Sequence, residues 1–326
     1  MRRLIVRVVI LLGPFLLIAV FFFAADPMRI IYAYPSPVIK GVLMNDRLFQ
    51  ARYLEKHFDE YHSFILGSSR SKSFKTYEWK KYSKADSCFH LGVNDETLYG
   101  LTKKLCYLNE KGVRLSHVLL VLDHRLLSMD KNQDAHIFRE YPSVSGESRA
   151  EFYKRFVIGF FKPAFLRAYL DWQLHHEYKA YMKNYIFKEH FEYIPVTGDI
   201  NYIEYENEIR KDSARYYERI KGQFYVRDPE ASLPALSQQG KLMLQGVSKL
   251  FGAQHTDLRI VITPNYDQAK LSRADLFFLE KTFGKEKVFD YSGINEMTKD
   301  VGNYYEEKHF KPYIASRIIK EIYGRP

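Results

Sequence analysis

The chain has 326 residues, 46% hydrophobic and 16% aromatic, which suits one large domain or two modest ones and excludes a sequence too polar to bury a core. Its formal net charge of +10, with 26 Tyr and 24 Phe, points to a surface that meets anionic membrane or anionic polymer, although charge alone names no partner. The two cysteines, Cys88 and Cys106, leave no metal-ligand spacing, and no internal repeat or low-complexity tract is present.

Arg2, Arg3 and Arg7 precede 18 uncharged residues, Val8 to Ala25. At ~1.5 Å per residue that run just spans a bilayer. The positive-inside bias would keep the tip cytoplasmic and export the rest. A cleaved signal peptide is the rival reading, but the run is long for one, and Phe22 and Phe23 stand where a cleavage site needs small residues. Residues 1–26 are therefore expected to be a cytoplasmic tip and one N-terminal transmembrane helix, a signal anchor in the inner membrane. Gly13-Pro14 inside it would kink it at most.

Residues 27–44 hold Pro27, Pro35 and Pro37 and read as an extended connector. Residues 45–60 read as a helix with Asn45 or Asp46 as cap. An apolar strand at 63–66 then runs into the turn Gly67-Ser68-Ser69-Arg70. A strand at 87–91, a helix at about 96–110 and a strand at 117–122 ending in Asp123 follow. From 124 to 256 the pattern stops, and amphipathic helices rich in aromatic and basic residues take over. That insertion reads as a cap over the site, as a surface lying on the membrane, or as an ordinary subdomain with its aromatics in a core. A strand at 258–264, a helix at 269–283, a strand at 288–293 and a closing helix after His309 complete the chain. Apolar strands alternating with helices predict an α/β fold with a doubly wound parallel sheet, whose active site gathers at the carboxyl ends of the strands. Ser69, Gly92, Asp123 and the loop at Pro264 would lie on that edge.

A serine hydroxyl needs a base to take its proton and an acid to orient that base. Ser69 at a strand end and Glu306-x-x-His309 near the far end of the chain supply the three groups. Taken singly, Gly-Ser-Ser is common in turns and Glu-x-x-His at the head of a helix is commonly a solvated cap.

These blocks, in this order, resemble the SGNH (GDSL-like) hydrolase superfamily and in particular its membrane-anchored, cell-envelope branch of DltD-like and alginate-acetylation-type proteins. The resemblance covers about residues 60–125 and 255–325. It implies a flavodoxin-like sheet spanning residues 45–326, with 124–256 inserted. It also implies Ser69 as nucleophile, in place of the family's Gly-Asp-Ser, and His309 as base, with Glu306 where the family has Asp. The family's oxyanion donors are the nucleophile's own N–H, a glycine after the second strand and an Asn after the third. Gly92 matches the glycine. Asp123 stands where the Asn is expected, and an ionised carboxylate there would oppose an oxyanion. Asn94, in Gly92-Val93-Asn94-Asp95, is the expected replacement, its alternative being the cap of the next helix. Glu307 and Asp290 are possible substitutes for Glu306. Arg70 is expected either to bind an anionic group of the substrate or to pair with a local acid.

The resemblance implies an exported serine-dependent O-acyltransferase or esterase acting on acyl groups, acetyl foremost, of a cell-envelope polysaccharide. A membrane-bound protein would hand the acyl group across, with no cofactor, no metal and no nucleic-acid partner. Two other readings stand beside it: a catalytically inactive scaffold of the same fold, motivated by Ser68, Asp123 and Glu306, and a membrane-anchored headgroup-binding module. Cys88 and Cys106 would be either a disulfide or two free thiols.

Overall fold

The computed structural model describes residues 2–37, 40–188, 191–225 and 234–324. Five strands, β1 (Ser63–Gly67), β2 (Cys88–His90), β3 (His117–Leu122), β4 (Asp257–Ile262) and β5 (Val288–Asp290), form one sheet in the order β2-β1-β3-β4-β5. Every pairing in it is parallel. This is the doubly wound order in which the chain reverses direction across the sheet between β1 and β3, and ligands bind outside the carboxyl ends at that point.

The sequence makes these strands because both faces must be apolar. In β3, Val118, Leu120 and Leu122 look to one side, where α4 (Leu98–Glu110), α9 (Gln238–Gln254) and α10 (Arg273–Phe283) supply Leu101, Leu244 and Leu279. Leu119 and Val121 look to the other, against Trp79 of α3 (Thr76–Ser83) and Ile314 and Ile318 of α11 (Pro312–Tyr323). The three helices on the first side start where a short polar side chain can accept a free N–H. Thr97 accepts from Gly100, Ser237 from Gly240 and Ser272 from Asp275.

The first part of the chain departs from expectation. Arg2–Ala25 is one helix, α1. The side chains of residues 2–11, 14 and 15, which include Arg2, Arg3 and Arg7, lie outside the described residues. Among the described residues no helix is long and apolar enough to cross a membrane, so the structure lends the transmembrane helix no support. The expected extended connector is instead folded onto the body. Asp26 accepts from Ile30 N, Ile31 N and Tyr32 N at 2.8–3.0 Å and from the Tyr34 hydroxyl, and the loop it closes buries Met28 and Ile30. Residues 38 and 39 of the connector lie outside the described residues.

Residues 45–60 give α2 (Asp46–Leu54), capped by Asn45, and a separate single turn at Phe58–Glu60. The inserted region also differs in content from an all-helical cap. It contains α5 (Arg149–Phe160), α6 (Pro163–His175), α7 (Ile203–Lys211) and α8 (Ser213–Ile220), together with a two-stranded hairpin, Glu192–Ile194 and Asp199–Asn201. Phe152, Phe156, Phe160 and Phe165 form a second core with Met28, Ile30 and Leu48, which is the subdomain reading of those aromatics. Its last helix, α9, belongs to the sheet's own covering layer, so the interruption of the doubly wound pattern ends before residue 238. Cys88 and Cys106 are free thiols.

Candidate active site

The turn expected to carry the nucleophile is built by close packing. A Cβ on Gly67 would come within 2.4 Å of the Val121 carbonyl oxygen, so only glycine lets β1 end this near β3. The chain then turns out of the sheet. Ser68 caps a single 3-10 turn, Ser69–Ser73, and donates its own hydroxyl to Asp123 Oδ2 at 2.8 Å. Ser69 occupies the first position of that turn, where a helical N–H has no partner within the element.

His309 approaches from the other end of the chain. Tyr304–Glu306 and His309–Phe310 form a small antiparallel hairpin in which Glu306 pairs with His309 across a bulge. Several side chains pin it. Tyr304 donates to the Pro264 carbonyl at 3.0 Å, Tyr305 to Glu206 at 2.6 Å and Tyr216 to the Tyr305 carbonyl at 2.8 Å. The Ser73 hydroxyl donates to the Phe310 carbonyl and so ties the hairpin to the nucleophile turn.

The outcome is a relay. His309 Nε2 lies 2.7 Å from Ser69 Oγ, and His309 Nδ1 is hydrogen-bonded to Glu306 Oε1. Burial would raise the Glu306 carboxyl, but the facing imidazole, its hydrogen bond and the Lys308 N–H outweigh that and hold it down at about 2. An ionised carboxylate only accepts, so Nδ1 donates to it, and Nε2 is the ring nitrogen that faces the Ser69 hydroxyl. Glu307, by contrast, is pushed up by burial and by Glu306 beside it, and Asp290 is engaged by Lys270 at 2.6 Å and by Ser292. Glu306 is therefore the partner of His309.

The residues expected around an oxyanion divide. Among the described residues the N–H groups of Ser69 and Gly92 and the Nδ2 of Asn94 donate to no protein acceptor. The Asn94 backbone is clamped by α2, its N–H donating to Asp46 Oδ2 at 2.7 Å and its carbonyl accepting from Arg47 Nη1 at 3.0 Å. Asn94 is not the helix cap, because Thr97 fills that role. Arg70 is committed elsewhere: its Nη1 lies 3.0 Å from Asp123 Oδ2, which gives the local-acid reading and leaves its expected contact with substrate without support. Burial would raise the Asp123 carboxyl, but Arg70, the Leu126 N–H and Ser68 hold it low, so the charge that would oppose an oxyanion is neutralised in place.

Sequence reasoning missed a second, internal cluster. Ser71 Oγ lies 2.9 Å from His90 Nε2, and His90 Nδ1 lies 3.3 Å from Asp199, which also accepts from the Thr76 N–H and hydroxyl. All of these are buried, so the set faces no substrate and instead ties the nucleophile turn, β2 and the inserted hairpin together. Among the described residues no group of three or more His, Cys, Asp or Glu is arranged to hold a metal ion. No family model matches the chain, and no curated protein matches it significantly.

Proposed function

We propose that this protein is an extracytoplasmic enzyme of SGNH type that transfers or removes an O-acyl group, acetyl foremost, on a cell-surface polysaccharide. The observation that carries the reading is the Ser69–His309–Glu306 relay, with 2.7 Å from hydroxyl to imidazole, at the carboxyl edge of a parallel sheet. The envelope setting rests on the sequence: the arginines, the uncharged run after them, and the resemblance of the blocks at Ser69, Gly92 and His309.

In the first half-reaction the Ser69 Oγ attacks the ester carbonyl carbon while its proton passes to His309 Nε2. The negative charge moves to the carbonyl oxygen, where the N–H groups of Ser69 and Gly92 and the Asn94 amide are the available donors. The C–O bond to the leaving alcohol then breaks, and the alcohol takes the proton from Nε2. In the second half a hydroxyl gives its proton to Nε2 and attacks the acyl carbon, the bond from that carbon to Oγ breaks, and Nε2 returns the proton to Ser69. Water as that hydroxyl makes an esterase and a sugar makes a transferase. Glu306 stabilises the imidazolium formed twice in the cycle.

A fluorophosphonate probe should label the wild-type chain and leave Ser69→Ala unlabelled, and polymer O-acyl content should fall in cells carrying stable Ser69→Ala protein. Unaltered acylation and no labelling would transfer the chain to the scaffold reading.

A further inference from the structure

Lys72, on the same turn as Ser69, is only 3% exposed. A lysine so buried ordinarily meets a carboxylate. Here, among the described residues, its Nζ makes no ion pair and donates to the side-chain oxygen of Asn94 at 2.7 Å. The nearby Lys75 shows what a purely structural buried lysine does, donating to the backbone carbonyls of Lys72 and Ile200 and so joining two segments.

We infer that Lys72 is a positioning residue that sets the Asn94 carboxamide as an oxyanion donor. The inference rests on the Ser69–His309 reading above. An ammonium carries donors only, so it can face the amide through Oδ1 alone; the flipped amide would set donor against donor. Lys72 thereby makes Nδ2 the free end of Asn94, and that end has no protein acceptor among the described residues. A charge-assisted bond to Oδ1 also draws electron density from the amide and strengthens Nδ2–H as a donor. The backbone of Asn94 is clamped by Asp46 and Arg47, which fixes the point from which that side chain extends.

The charged and titratable groups around Lys72 are Asp46 and Arg47 of α2, His90 of β2 and Lys75 of its own segment. Burial, with Arg47 adding to it and Asp46 opposing, lowers the Lys72 ammonium to about 8. Above that pH the amine is neutral and the bond to Asn94 loses its charge, so Ser69 reactivity should fall to a lower plateau.

The test is the rate of fluorophosphonate labelling of the full-length protein in detergent, measured across pH for wild type, Lys72→Met, Asn94→Ala and the double variant. Lys72→Met should slow labelling by about tenfold or more. The double variant should be no slower than Asn94→Ala alone, since Lys72 acts through Asn94. The alkaline fall near pH 8 should be present in wild type and absent from Asn94→Ala. Equal slowing by Lys72→Met in both backgrounds, or none in either, overturns the inference. If Lys72→Met does not fold, an alkaline fall retained in Asn94→Ala overturns it equally. A wild-type chain that takes no label fails the Ser69 reading itself, whereas a labelled wild type with an unaffected Lys72→Met fails only the inference.

Discussion

Ser69 and His309 are 240 positions apart in sequence and 2.7 Å apart in space, and in the proposed reaction they act on one proton. Removing either group abolishes that proton's transfer, so Ser69→Ala and His309→Ala should each abolish nearly all acyl transfer. Combined, they should cost little more than one alone in a cellular O-acylation assay. Glu306 adds a stability term with a definite sign. Its carboxyl lies below the ordinary 4.5, at about 2, so the ionised form favours the folded state. That contribution is complete above about pH 4.5 and is lost as pH falls toward about 2. Urea unfolding should therefore show wild type more stable than Glu306→Gln at neutral pH, with the gap narrowing as the solution is acidified. The three relay residues were legible because each carries its cue beside it, a strand-end turn for Ser69 and an i, i+3 spacing for Glu306 and His309. The commitment of Arg70 was not, since it depends on Asp123, which only the pairing of β1 with β3 brings near. Lys72 was hidden for the same reason, its meaning lying in the neighbouring turn.

At the scale of elements, the turns after β1 and β2 are fitted into each other. A Cβ on Gly92 would lie 2.2 Å from Ser71 Oγ and 2.6 Å from His90 Nε2. Both are held, Ser71 by the Ser68 carbonyl and His90 by Asp199, so neither can swing aside cheaply. Gly92→Ala should destabilise the fold by about 1–3 kcal/mol through this overpacking. A melting temperature equal to wild type would show that the cluster yields more readily than its hydrogen bonds imply. Asp199 should matter more than its place in an insertion suggests. Asp199→Ala strips buried acceptors from the Thr76 N–H, the Thr76 hydroxyl and His90, at a cost of about 3 kcal/mol or more. The central strands could be read from sequence because a strand buried on both faces is a nearly continuous apolar run, as Val118 to Leu122 shows. The inserted hairpin could not, because its strands have three residues each and owe their pairing to what they support.

On the scale of the whole molecule, the body begins earlier than its proline content suggests. The uncharged run and Pro27, Pro35 and Pro37 place a boundary at residue 26, yet the last turns of α1 are already packed into the second core. Phe22 is buried with its ring 5.2 Å from that of Phe160, and Phe21 lies against Phe160 and Tyr169. Hydropathy registers an apolar residue without saying what it faces, so the exposed apolar positions of α1 and the start of the second core read as one run. Leu16, Leu17 and Val20, just before, are exposed. Two truncations exploit the difference. A chain starting at about residue 20 keeps Phe21, Phe22 and Asp26, and it should fold and melt near the full-length temperature. A chain starting at residue 27 loses the Phe22 burial, about 2–3 kcal/mol, and the four hydrogen bonds that Asp26 accepts from Ile30, Ile31, Tyr32 and Tyr34. It should unfold at clearly lower urea concentration. Equal stability of the two truncated chains would put the boundary back at residue 26.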